Sequence, residues 1–160
     1  MTSVESIDRQ LKSMNLLSKK IPGDGNCQFA AISYCMRMYG IDLSTDKLRR
    51  NAIKYIVKHK SRFKHYVHNI TMKQYIDRLR KGEYGDHITM VALSELYNLT
   101  IYVLRHRAPR NIINENFDLP VVLIYTGDDG DDAHYDATKP NKRLQKYIKN
   151  CVKKFYKVKE

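Results

Sequence analysis

The sequence predicts an α+β fold, and three features carry that prediction. Up to residue 97 apolar residues recur at helical spacing; residues 99–137 change to short β-branched runs; the C-terminal segment returns to a helical stripe. Helices first, strands next and a helix last favour a small β-sheet packed between helices.

Each element has a local reason. Ile7, Leu11 and Met14 predict a short helix over 4–16. Ile21-Pro22-Gly23-Asp24-Gly25 is rich in turn formers and predicts a loop. From Cys27 the helical period resumes through Phe29, Ile32, Cys35, Met36 and Tyr39, and Gly40 stops it. Ser44 or Thr45 suits the cap of a helix carrying Leu48, Ala52, Tyr55 and Ile56. Thr71 suits the cap of another, with Met72, Tyr75, Ile76 and Leu79 on one face and Gly82 at its end. Asp86 suits a fourth, with Ile88, Val91, Ala92 and Leu96 inward. Leu99–Leu104 and Val121–Tyr125 read as buried strands, with Ala133–Ala137 as a third. Residues 105–119, holding Pro109 and followed by Pro120, read as loop and edge. No repeat or linker divides the chain. The expected organisation is one domain over 1–160, with its core over about 18–138 and a basic amphipathic helix over 139–160.

Composition narrows the class. A hydrophobic content of 42%, with four prolines and seven glycines, excludes a disordered or fibrous chain. Met1 to Leu17 lacks the apolar stretch of a secretory signal, and no apolar run approaches the ~20 residues that span a bilayer. Three cysteines without a CxxC disfavour a disulfide framework or a zinc ribbon. These features predict a soluble protein of a reducing compartment, cytoplasmic or nuclear. Frequent Lys, Ile, Asn and Tyr suggest an AT-rich genome, as in a virus or an intracellular parasite. The net charge of +12 is concentrated in the tail: residues 139–160 hold nine Lys/Arg and one Glu, a net +8.

The chemistry lies in two motifs 107 residues apart. Asp24-Gly25-Asn26-Cys27 puts a thiol at the start of a helix. A free thiol has a pKa near ~8.5 and is mostly protonated at neutral pH. The amides and dipole of a helix N-terminus favour the reactive thiolate. Gly23 and Gly25 are expected to turn the loop sharply, bringing amides to the thiol and to an oxyanion, with those of Cys27 and of Asp24 or Gly25 as donors. His134-Tyr135-Asp136 lies in a candidate strand, where His134 and Asp136 share a side and Tyr135 takes the other. A carboxylate there can fix the imidazole tautomer and leave the second nitrogen free to accept the thiol proton. The competing reading is a packed structural cysteine and a plain turn; packing is the reading for Cys35 and Cys151. Residues 127–132, Gly-Asp-Asp-Gly-Asp-Asp, form a solvated acidic loop or an attractor for a basic substrate segment. His65 and His68 lack the partners of a metal site, and none is expected.

These motifs resemble the ovarian-tumour (OTU) family of cysteine deubiquitinases. Asp24-Gly25-Asn26-Cys27-Gln28-Phe29 is similar to its nucleophile motif. Tyr84-Gly85-Asp86, followed by Ala92-Leu93-Ser94, is similar to its central motif, and His134-Tyr135-Asp136 to its histidine motif. The resemblance implies a papain-like α+β fold and hydrolysis of the isopeptide bond after the Gly-Gly terminus of ubiquitin, from single or polyubiquitin conjugates or from ubiquitin-like modifiers. It implies Cys27 as nucleophile, His134 as base and then acid, Asp136 as orienter, and Asp24 as shaper of the oxyanion loop. Gly25, Asn26, Tyr84 and Tyr135 are the candidate oxyanion and substrate-binding residues. No metal or organic cofactor is implied. The family's central motif often begins with Trp, where this chain has Tyr84.

Two other functions compete. A non-enzymatic basic module would bind nucleic acid or an anionic membrane through the tail, where Leu144, Tyr147, Ile148, Cys151, Val152 and Phe155 form an apolar stripe among lysines. No nucleic-acid motif accompanies that stripe. A catalytically dead relative used as a binder is disfavoured, because every triad position is filled.

Overall fold

Five strands, in the order β1-β5-β4-β2-β3, make the sheet of the computed structural model, which describes residues 6–127 and 133–157. The chain runs α1 (Ile7–Ser13), β1 (Leu16–Lys19), α2 (Cys27–Met36), α3 (Thr45–Lys58), α4 (Lys60–Phe63), α5 (Met72–Arg80), α6 (His87–Tyr97), β2 (Leu99–Arg105), β3 (Ala108–Ile113), β4 (Leu119–Thr126), β5 (His134–Pro140) and α7 (Lys142–Lys157). β2 and β4 are parallel, and the other pairs are antiparallel.

The helices begin where the capping chemistry placed them. Ser44 accepts from the Lys47 N–H at the start of α3. Thr71 with Gln74, and Asp86 with Thr89, form reciprocal capping boxes on α5 and α6. After α2 the chain tightens into a 3₁₀ turn over Arg37–Tyr39 and ends on Gly40, whose φ of 74° suits glycine.

Helices cover both faces of the sheet. Alternation along β4 sends Val121 and Leu123 to one face, with Phe29, Ile32, Met36 and Leu93 of α2 and α6. It sends Ile124 to the other, where Leu104 meets Leu11 of α1. A second cluster, including Ile53, Ile56, Phe63 and Leu79, holds α3, α4 and α5 together as a helical arm.

Two strands and one helix depart from the sequence expectation. β1 is four residues of mixed polarity held by pairing with β5, from Leu16 on Pro140 to Lys19 on Ala137. Its stability comes from a partner more than a hundred residues away, not from local pattern. β3, in a segment expected as loop and edge, is an edge strand, which is where Pro109 is tolerated. α4 is a single turn closed by the buried Phe63. α7 touches the body through half-buried Leu144 and Ile148, whereas Tyr147 is 66% exposed and Cys151 is exposed. The expected apolar stripe is therefore only partly covered; Val152 and Phe155 lie outside the described side chains, and residues 128–132 of the acidic loop lie outside the described residues. No helix among the described residues is long and apolar enough to cross a membrane.

Leu123 stands at the centre of β4 and is fully buried. Leu123→Ala is expected to cost about 2–5 kcal/mol, read by urea unfolding.

Candidate active site

The nucleophile turn is built by its own carbonyls. The Cys27 N–H donates to Asp24 O at 3.2 Å, and the Asp24 N–H to Pro22 O at 3.0 Å. The Asn26 N–H donates to the Asp24 carboxylate Oδ1 at 2.9 Å. Two of the amides expected to meet an oxyanion are thus engaged inside the turn. The Gly25 N–H bonds no group among the described residues. The glycines are needed less for turning than was expected, since neither Gly23 nor Gly25 has a positive φ. Gly25 is required by close approach: a Cβ there would lie 2.5 Å from the Gly82 carbonyl oxygen.

α2 then packs on β5 and carries Cys27, which is 1% exposed, onto the strand. The Tyr135 amide, in the peptide that follows His134, is among the groups that act on the thiol. The sulfur therefore lies at the backbone of the histidine motif. Burial pushes the thiol pKa up; amides of Tyr135, Gln28 and Cys27 pull it down, and the Asp24 charge pushes it up again. The net direction is upward, so burial outweighs the helix terminus. Unlike the sequence expectation, the helix terminus does not bring the thiol pKa down overall.

His134 is paired as the strand register requires. His134 Nε2 lies 2.9 Å from Asp136 Oδ1. The same oxygen accepts the Ile21 N–H at 2.8 Å, and Lys20 Nζ stands 3.6 Å from Oδ2. Burial alone would raise the Asp136 pKa; the Ile21 amide, His134 and Lys20 outweigh it and hold the carboxyl below its usual range. An ionised carboxylate only accepts, so Nε2 carries the shared proton, and in the neutral ring Nδ1 keeps the lone pair. Because the folded pKa is lowered, Asp136 adds stability above its unfolded pKa that is lost as pH falls through the folded one.

A polar network backs the nucleophile from the other side. Gln28, fully buried next to Cys27, donates to Asp86 O at 3.0 Å and accepts from Thr89 Oγ1 at 2.6 Å. The Tyr75 hydroxyl donates to the Asp86 carboxylate, and the Tyr135 hydroxyl meets Gln28. Gly85 leaves the room for this, since a Cβ would fall 2.2 Å from Gln28 Oε1.

The structure thus brings Asp24, Gly25, Asn26, Cys27, His134, Tyr135 and Asp136 together. Asn26 turns its side-chain oxygen inward, onto Arg49. Tyr135 sets its ring against Tyr125, tilted by 59° with the centroids 5.1 Å apart. Tyr84 is 50% exposed beside the Gly85 contact. Sequence reading missed Arg49 and gave Gln28 no role of its own. Both are polar residues at positions that belong to buried helix faces, which was the available signal.

A cavity of about 370 Å³ opens beside Tyr135 and Gly85, walled by Asp86, Arg105, Asn111 and Tyr125. A more apolar cavity of about 390 Å³ lies by Met14, Leu16, Tyr39, Val122 and Leu144, and no site residue lines it. Among the described residues no group of three His, Cys, Asp or Glu side chains could hold a metal ion.

The family profile of OTU-like cysteine proteases matches residues 22–135, from the nucleophile turn into the histidine motif. The chain belongs to this family. Among its relatives, the Arabidopsis thaliana OVARIAN TUMOR DOMAIN-containing deubiquitinating enzyme 10 is 31% identical over 101 residues, 62% of this chain and 28% of that protein. The Danio rerio OTU domain-containing protein 5-A is 32% identical over 130 residues, 78% of this chain and 22% of that protein. The chain thus spans about a quarter of these relatives. The OTU domain of OTUD1 shares the fold, with a TM-score of 0.68 at 21% identity over 82% of this chain and 91% of that one. So does an OTU domain solved in complex with ubiquitin, with a TM-score of 0.66 at 24% identity over 78% of this chain and 69% of that one. The OTU fold agrees with the α+β papain-like architecture that the sequence predicted.

The Asp24 carboxylate raises the thiol pKa, so Asp24→Asn is expected to move the pH midpoint of Cys27 alkylation downward. Added salt should narrow the gap, because Asp24 is exposed. Mass-spectrometric rate profiles across pH read both effects; a rise in the midpoint would contradict the assignment.

Proposed function

We propose that this chain is a deubiquitinase that hydrolyses the isopeptide bond after the Gly-Gly terminus of ubiquitin. The observation that carries the reading is Cys27 at the start of a helix packed on β5, the strand on which His134 Nε2 lies 2.9 Å from Asp136 Oδ1. The deubiquitinating relatives and the ubiquitin-bound OTU domain support ubiquitin as the substrate.

In this mechanism His134 Nδ1 takes the Cys27 proton as the sulfur attacks the scissile carbonyl carbon. The carbonyl electron pair moves to oxygen, and the Gly25 N–H is the amide assigned to that oxyanion. Collapse expels the lysine amine, which takes the proton from Nδ1, and leaves a thioester on Cys27. Water, deprotonated by the same nitrogen, then hydrolyses the thioester and frees the thiol. Asp136 keeps the proton on Nε2 throughout and stabilises the ring when it is charged. The cavity beside Tyr135 and Gly85 is assigned to the substrate segment next to the scissile bond. Ubiquitin-like modifiers are the competing substrates for the same site.

Cleavage of a lysine-linked ubiquitin conjugate tests the reading. Cys27→Ala is expected to abolish it, and His134→Ala to lower kcat by about 10²–10⁴-fold. Asp136→Asn is expected to lower kcat less than His134→Ala does. Undiminished cleavage by Cys27→Ala would refute the mechanism.

A further inference from the structure

Arg49 is buried at 7% exposure on the inner face of α3, and all five of its N–H donors are used. Nε and Nη2 donate to Asn26 Oδ1 at 3.2 and 2.8 Å, and Nη2 also to Gly25 O at 2.8 Å. Nη1 donates to Leu79 O at 3.0 Å and to Glu83 O at 2.6 Å. The guanidinium carbon lies 4.4 Å over the Phe29 ring, one turn into α2. Every acceptor is neutral. A buried cation with no carboxylate bonded to it is costly, and Arg49 forms no direct ion pair among the described residues. What it does is geometric: one rigid fork joins the turn before Cys27 to the last turn of α5 and the chain that follows it.

That fork sets the direction of a peptide. In a trans peptide the C=O and N–H point opposite ways. Arg49 draws the Gly25 carbonyl inward, so the Asn26 N–H of that peptide must point away, and the Asp24 carboxylate holds it there at 2.9 Å. The Gly25–Asn26 peptide is clamped at both ends, and Cys27 follows it directly. Resting on the deubiquitinase reading above for its catalytic consequence, we infer that Arg49 is a positioning residue, holding the nucleophile turn in the shape that seats the Cys27 thiol on β5. Lysine cannot replace it: its donors sit on one atom and cannot reach acceptors on two sides of a planar fork.

Labelling with iodoacetamide tests the inference without any substrate, because α2 carries its own control. Cys35, 4% exposed in the same helix, is protected by the fold and does not touch the turn. In Arg49→Lys, well below its melting temperature, Cys27 is expected to label faster than in the native protein while Cys35 stays protected. Asn26→Ala removes one side of the clamp and leaves Arg49 three carbonyls; it should show the same selectivity, more weakly, and serves if Arg49→Lys does not fold. On a ubiquitin conjugate, kcat is expected to fall by about 10²-fold, the scale of a 1 Å misplacement, with KM little changed. Cys35 labelling in step with Cys27 would reduce Arg49 to a general stabiliser and overturn the inference, as would unchanged Cys27 labelling. A native protein that fails to cleave ubiquitin conjugates would remove the functional reading, and the labelling comparison would still judge Arg49.

Discussion

The Asp136 carboxylate is the contact on which the rest of the site depends. One oxygen accepts both the Ile21 N–H and His134 Nε2, so residues 115 apart in sequence are joined at a single atom. Ile21 leads into the nucleophile turn, and His134 opens the strand on which the nucleophile sits. The same contact fixes the path into the turn and the tautomer of the base. The β1–β5 pairing, from Leu16–Pro140 to Lys19–Ala137, delivers Ile21 to that oxygen.

Two buried charges, Asp136 and Arg49, flank the turn that carries Cys27. Asp136 is ionised because amide, imidazole and ammonium partners outweigh its desolvation. Arg49 is surrounded by neutral oxygens, and burial lowers its pKa despite the raising influence of Asp46 and Asp24. Charged groups removed from water at such cost are typical of sites where geometry is selected over stability. The buried Cys27 fits the same pattern. Its desolvation pushes the thiol pKa up, against the pull of the neighbouring amides.

Much of this was legible in the sequence because the determinants are local. Ser44, Thr71 and Asp86 announced their helices through capping, and Gly40 ended another. The two-residue spacing of His134 and Asp136 encodes a shared face in any strand, and the observed hydrogen bond follows from it. β1 and β3 were hidden because pairing, not pattern, holds them. The inward turn of Asn26 and the fork of Arg49 were hidden for a related reason: each acceptor lies on a different segment, and helical spacing cannot show which carbonyls a buried cation will meet. The rise in the Cys27 pKa also escaped, because a helix terminus is visible in sequence and the burial that overrides it is not.

Capture by ubiquitin bearing an electrophile at its C-terminus, with the adduct mapped by mass spectrometry, addresses the pairing of Cys27 with His134 most directly. Simple accessibility would favour Cys151, which is exposed, over Cys27, which is buried. The expected result is a single adduct on Cys27 whose formation needs His134. An adduct on Cys151, or the same rate at Cys27 without the His134 imidazole, would contradict the site described here.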